Sequence, residues 1–335
     1  MSDVLNASAE LTEDQFREWY EQLKAVVMMA EESGVADQAD LGDACVQLGL
    51  HADLMDEEPL RWFTRAMEIY DRTVDANDPR QLRPLCELAL AQIAQINVED
   101  GMEGIERWWN PAHKILQSDV GRQTLENDLP LQVDLSTVEG FVKRKNDLDG
   151  ATACFDHASA VAETYLDPND PEWIQLLTNQ AQAHQEQGDV ATAQRLLERV
   201  LVLAKMHGEE RPGLVSFCYE LASLEFHYEN TDLTRRFLEW VLAWQRTHLD
   251  AMDPELGRTY HQLMCAEEKL GNKTRAVEYS RQAIRILFHQ DDNEMAIEDL
   301  CWLVHNDPDF ASFVRELKIE ECDQDEEQTS YTEPT

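Results

Sequence analysis

Breakers of regular structure are scarce in this sequence. Its 335 residues include 13 glycines and 11 prolines, while Ala, Leu and Glu recur throughout, a balance that favours helices joined by short turns. Cations are scarce as well: 28 Lys and Arg stand against 67 Asp and Glu, a formal net charge of −39. A groove that tracks a phosphate backbone needs the opposite sign, so the charge argues against nucleic-acid binding and against docking to an anionic membrane surface. No apolar run approaches the ~18 residues of a membrane span. The first residues, MSDVLNASAELTED, hold acids and lack the apolar core of a signal peptide. Cys45, Cys86, Cys154, Cys218, Cys265, Cys301 and Cys322 are far apart and odd in number. That excludes a CxxC knuckle or redox pair and argues against a disulfide framework, so a reducing cytoplasm is the expected compartment.

Catalytic motifs are missing too. HExxH, GxSxG, GxGxxG and a GxxxxGK loop are all absent, and no catalytic residue, cofactor or metal site is expected. His261 and Cys265, four apart, place two soft ligands on one helix face, short of the four a structural zinc needs. Lys145-Asn146-Asp147-Leu148-Asp149-Gly150 resembles a calcium loop, but Lys145 stands where the first acid belongs, and the segment reads as a turn between helices.

What the chain does have is 43% hydrophobic residues arranged in a rhythm of about 42 residues. Residues 175–204 read as a helix, a turn at Gly188-Asp189 and a second helix with Ala193, Leu196, Leu197 and Val200 on one face. The same layout follows Asn146, Asn230 and Gly271, so the four anchors lie 42, 42 and 41 residues apart. Weaker copies are anchored at Asp56 and Gly101, with small Gly49 standing seven before Asp56 as Ala181 stands seven before Gly188. Gly best tolerates the left-handed backbone such a turn requires, with Asn and Asp next. The connectors carry Asp78-Pro79, Asp167-Pro168, Asp170-Pro171, Asp253-Pro254 and Asp307-Pro308, with Pro212 in an equivalent place. Asp can cap the free N–H groups of a helix start, and Pro fits its first turn.

These turns, small residues and connectors resemble the tetratricopeptide repeat (TPR) family over residues 36–290. The common form of that repeat is about 34 residues long; the longer period here is similar to the variant of kinesin light chains and of some bacterial peptide-sensing regulators. The aromatic of the family's first helix is met at Tyr219 and Tyr260 but is Leu135 and Leu177 elsewhere, and Arg235 stands where Ala151, Ala193 and Ala276 supply the small residue of the second helix. The fold class implied is all-α, a right-handed superhelical TPR-like solenoid of about six antiparallel helix pairs. Residues 1–35, with Phe16, Trp19, Tyr20, Leu23 and Val27 on one face, read as a capping helix. Residues 291–319, broken at Asp307-Pro308, with Trp302, Leu303, Phe310 and Phe313 facing inward, read as C-terminal caps, since an end repeat otherwise exposes an apolar face. Residues 320–335 read as a disordered acidic tail. Of the adjacent Trp108 and Trp109, one is expected inside and the other at a contact surface; Trp240 and Trp244 share a face and read as core between repeats.

In the family, first helices line a concave groove. Carrying that frame over places Gln175, Thr178, Gln182 and Gln185, then Phe217, Glu220, Leu224 and His227, then Arg258, His261, Cys265 and Glu268 on the groove, with the polar members as the partner-binding set. The Lys and Asn of the carboxylate clamp used by co-chaperones are missing from it, so chaperone-tail binding is not expected. The function implied is a non-catalytic scaffold, adaptor or inhibitor that holds a protein or peptide; the alternative is a peptide-responsive sensor that changes shape on binding. The acidity has two readings, a solvated surface or a face that selects a basic partner.

Overall fold

In a computed structural model, the structure describes residues 12–33, 39–55, 57–95, 102–288, 290, 294–315 and 317. Asp56, Gly101 and the tail from 320 lie outside the described residues. The described elements are helical: α1 (Glu13–Glu32), α2 (Ala39–His51), α3 (Pro59–Thr73), α4 (Leu82–Gln95), α5 (Met102–Leu116), α6 (Asp119–Glu126), α7 (Leu129–Lys143), α8 (Leu148–Ala162), α9 (Glu172–Glu186), α10 (Val190–His207), α11 (Gly213–His227), α12 (Thr231–His248), α13 (Pro254–Lys269), α14 (Lys273–Leu287) and α15 (Glu294–Asn306). None is long and apolar enough to cross a membrane. The chain forms two compact units, 1–196 and 197–335, and their division falls inside α10.

The first unit stacks hairpins α2/α3, α4/α5 and α7/α8, with α8 packed on α9. Helix α1 buries Trp19, Tyr20, Leu23 and Val27 against Leu48, Phe63, Ile69 and Tyr70, with Phe16 at the edge. Its polar edge is tied down by Glu57, which accepts from Tyr20, Lys24 and Trp62. Gly49 and Ala181, the small residues expected where paired helices approach, are both buried. Trp109 enters the second core, while Trp108 is half-buried between the first two clusters under the Arg107 guanidinium, 4.6 Å from its ring. One element was not legible in the repeat: α6, an eight-residue helix between α5 and α7. Ser118 starts it by accepting from Gly121 N, and Asp128 restarts the chain into α7 by accepting from Leu131 N.

The second unit continues α10 and adds the hairpins α11/α12 and α13/α14, closed by α15 against α14 and α13. Ile284, Leu303 and Phe313 form the terminal core, with Trp302 and Phe310 half-buried around it. Trp240 and Trp244 are also half-buried, and the Trp244 ring stacks on His248 at 4.0 Å.

All five Asp-Pro pairs make the same local bond. Asp78, Asp167, Asp170, Asp253 and Asp307 each accept from the backbone N–H two residues on, at 2.8–3.0 Å. Proline removes the intervening donor, and the carboxylate takes the next one.

The turns correct the register by one residue in one repeat. After α9, α11 and α13 the chain closes with two backbone bonds: Gly188 N to Gln185 O and Asp189 N to His184 O, Glu229 N to Phe226 O and Asn230 N to Glu225 O, and Gly271 N to Glu268 O and Asn272 N to Glu267 O. This is the closure of a Schellman-type helix end, and it places one left-handed residue in each turn. Gly188 has φ +85°, Gly271 has φ +78°, and the third is Glu229 with φ +64°. Asn230, taken from sequence as the left-handed anchor, therefore aligns with Asp189 and Asn272. Asn146 is not left-handed either: Asn146 N and Asp147 N both return to Lys143 O, and Asp147 caps α8 by accepting from Gly150 N. The calcium-like segment is thus an interhelix turn. The side chains reinforce the alignment: Asn230 Nδ2 donates to the buried Glu225 Oε2, and Asn272 Nδ2 to the buried Glu267 Oε2, each at 2.6 Å.

A left-handed conformation costs an L-residue about 1–2 kcal/mol. Glu229→Gly is accordingly expected to stabilise the second unit by about 1 kcal/mol, and Gly188→Ala, with nothing within 4 Å of the added methyl, to destabilise the first by a similar amount. Urea unfolding of both variants measures this; a destabilised Glu229→Gly protein would contradict the turn geometry.

Candidate protein-binding faces

The first helices of each hairpin present one face per unit. In the first unit α4 and α7 pack side by side. Their dominant feature is Arg83, whose guanidinium reaches Asp128 with both carboxylate oxygens at 2.9 and 3.0 Å, Asp134 Oδ2 at 2.8 Å and Glu87 Oε1 at 3.4 Å. Three carboxylates share one cation. Burial and the charge of Glu87 push the Asp134 carboxyl up to about 7 despite Arg83. Burial also raises Glu87, with Arg83 opposing. Because the folded state holds the Asp134 proton more tightly than the unfolded chain does, stability falls as pH rises from about 4 to about 7. Asp134→Asn keeps an acceptor for Arg83 and removes the titration, so its stability should decline less than that of the parent across this window in denaturation measured at pH 5 and pH 8. An equal decline would refute it.

Helix α9 corrects part of the expected groove. Gln175 is exposed, with Nε2 donating to Asn179 Oδ1 at 2.9 Å, and Gln182 is half-buried beside Arg144, which binds Glu186. Thr178 and Gln185 are buried, 2% and 7% exposed. With Ile174 and Ala181 they form a stripe spaced four, three and four residues apart, the packing face of an amphipathic helix. Thr178 satisfies its hydroxyl locally by donating to Ile174 O at 2.8 Å. Neither residue can meet a partner.

In the second unit α13 lies between α11 and α15. Glu220 and His227 are exposed on α11, two helical turns apart. With the register moved to Glu229, the positions equivalent to Gln175, Thr178, Gln182 and Gln185 are Ser216, Tyr219, Ser223 and Phe226, instead of Phe217, Glu220, Leu224 and His227; Glu220 and His227 remain beside them on the exposed side of α11, each one turn beyond Ser216 and Ser223. Ser223 Oγ accepts from Gln262 Nε2 at 2.7 Å, and the Lys269 ammonium stands 3.6 Å from the centre of the Phe226 ring.

On α13, Arg258 is half-buried and paired with Glu255. Glu268 is exposed and accepts from Trp302 Nε1 of α15. His261 is engaged within the unit: Nδ1 lies 2.8 Å from Asp299 Oδ1, while Nε2 lies 3.8 Å from Glu298 and 3.9 Å from Cys265 Sγ. Burial alone would lower the His261 pKa; the bonds to Asp299 and Cys265 outweigh it and push it up to about 10. Burial raises the Asp299 carboxyl, opposed by the ring. No group of three or more metal-ligating side chains is assembled among the described residues.

No family model matches the chain, and no curated protein matches it. Solved structures do. The chain is similar to TPR-like repeat proteins. One is a putative kinesin light chain of Podosopora anserina with nearly identical TPR-like repeats, 22% identical over 64% of this chain and 99% of that one, with a TM-score of 0.47. Another is yeast Tom70, 13% identical over 91% of this chain and 64% of that one, with a TM-score of 0.38. A third is the Cut9–Hcn1 hetero-tetramer of the APC/C, 14% identical over 93% of this chain and 61% of that one, with a TM-score of 0.30. Likenesses this distant add nothing to the fold, which rests on the helix hairpins and turns above.

Proposed function

We propose that this chain is a non-catalytic interaction module that holds a basic, extended segment of a partner protein against its first-helix faces. The observation that supports the reading is the composition of the face in the second unit. Glu220, Glu268 and Glu298 are exposed there, Tyr219 and Phe226 are half-buried, and Ser223 and Gln262 supply hydroxyl and amide groups. Carboxylates select for charge, aromatic rings supply contact area, and amides and hydroxyls bond a peptide backbone whatever its side chains. The net charge of −39 adds long-range steering of a cationic partner.

The test is fluorescence anisotropy with paired peptides of equal length, one rich in Lys and Arg and one with those residues replaced by Glu. The basic peptide should bind and the acidic one should not, and affinity should fall with salt. The double variant Glu220→Lys with Glu298→Lys, both on exposed positions, should weaken binding about tenfold while leaving the helical signal unchanged. Equal binding of both peptides, or an unaltered affinity in the variant, refutes the reading.

A further inference from the structure

The described cysteines are not equivalent. Cys45, Cys86 and Cys218 are buried, and burial pushes the Cys218 thiol up to about 12 and raises Cys86 as well. Cys154 is half-buried; burial raises its thiol even with Lys143 Nζ at 3.6 Å. Cys301 is exposed on α15. Cys265 combines partial access with a positioned imidazole.

That imidazole is held from behind. His261 and Cys265 stand one helical turn apart on α13, which brings Sγ to 3.9 Å from Nε2. The other ring nitrogen is fixed by Asp299 Oδ1 at 2.8 Å. Asp299 is fully buried, and its Oδ2 has no hydrogen-bond partner among the described residues. A carboxylate shut away from water with one oxygen uncompensated has the His261 cation as its counter-charge, and it orients the ring so that Nε2 faces the sulfur. A sulfur, an imidazole and an orienting carboxylate in this order form the arrangement that activates a thiol.

We infer that Cys265 is a thiol-modification site that undergoes exchange with small disulfides. Cys265 gives up its proton to solvent beside the His261 cation, whose Nε2–H stays paired with the thiolate. Cys265 Sγ then attacks one sulfur of a disulfide RS–SR; the Cys265–SR bond forms as the RS–SR bond breaks, and the departing thiolate takes up a proton to leave as RSH. The cysteine sulfur is oxidised and the disulfide is reduced, so the exchange balances without a further reagent. The product adds a group to the first-helix face, but the inference is independent of whether a partner binds there.

The full chain is to be treated at pH 7 with substoichiometric 2,2′-dithiodipyridine, an uncharged disulfide that the acidic surface does not repel. Thiopyridone release gives the rates, and mass mapping after acid quench gives the sites. Cys265 should react at least about tenfold faster than Cys301 or Cys322. His261→Gln and Asp299→Asn should each slow Cys265 to the range of the other accessible cysteines while the Cys301 rate stays unchanged, which also reports that α15 remains folded. Cys265→Ser, a near-isosteric change, should remove the fast phase. Prior labelling of Cys301, Cys322 or Cys154, a fast phase that survives Cys265→Ser, or an unchanged Cys265 rate in His261→Gln would overturn the inference.

Discussion

Phe155→Ala should cost the first unit about 3–5 kcal/mol, the range for emptying a buried aromatic site. Phe155 is fully buried on α8, packed against Ala151 and Ala183, with Phe141 edge-on at 5.4 Å. The ring fits because α7 carries Gly140 opposite: a Cβ there would stand 2.8 Å from the ring. A site built around a missing side chain has no neighbour that can extend into the space left by alanine, so the cavity persists. Urea denaturation followed by circular dichroism should show a lower midpoint with little change in slope. A loss under about 1 kcal/mol would mean that the site collapses and that the helix approach set by Gly140 is not rigid.

The second large effect is at Arg83. Its side chain is 15% exposed and holds three carboxylates, two of them on α7 or at its start. Arg83→Met keeps the apolar stem and removes the charge. Breaking a buried pair by deleting one partner costs about 3–5 kcal/mol. The Asp128 and Asp134 side chains are 39% and 32% exposed, so solvent screening puts the expected loss at or below the lower end of that range. The loss should also grow with pH, because Asp134 and Glu87, both raised by burial, then ionise beside Asp128 with no cation between them. Stability curves at pH 5 and pH 8 test both parts. A pH-independent loss would show that Arg83 acts through its packing alone.

Much of this architecture is written in local chemistry. The Asp-Pro connectors and the glycine turns at Gly188 and Gly271 are short-range devices, and each forms as its residues require. The period failed by one residue at Glu229 because the left-handed site there is filled by a residue that gives no sign of it. The informative signal was the next residue and its partner: Glu225 with Asn230 and Glu267 with Asn272 repeat the same five-residue spacing 42 residues apart. Helix α6 was missed because a capped eight-residue segment fits inside a repeat without disturbing the pattern around it. The groove set was less legible still. Thr178 and Gln185 are polar yet belong to a packed stripe, and His261 and Glu268 find partners on α15 at 38 and 34 residues of separation, which helix periodicity cannot reveal. The Arg83 cluster spans 45 and 51 residues for the same reason.

The most direct test of partner binding on the first-helix faces is site-specific photocrosslinking. A benzophenone side chain is placed at Glu220 or His227 on the exposed face of α11, and in separate proteins at Met206 or Ala243 on the exposed faces of the second helices α10 and α12. Each is irradiated with a bound Lys- and Arg-rich peptide. Crosslinks from Glu220 and His227, with none from Met206 and Ala243, are the expected result; crosslinks confined to Met206 and Ala243 would contradict it.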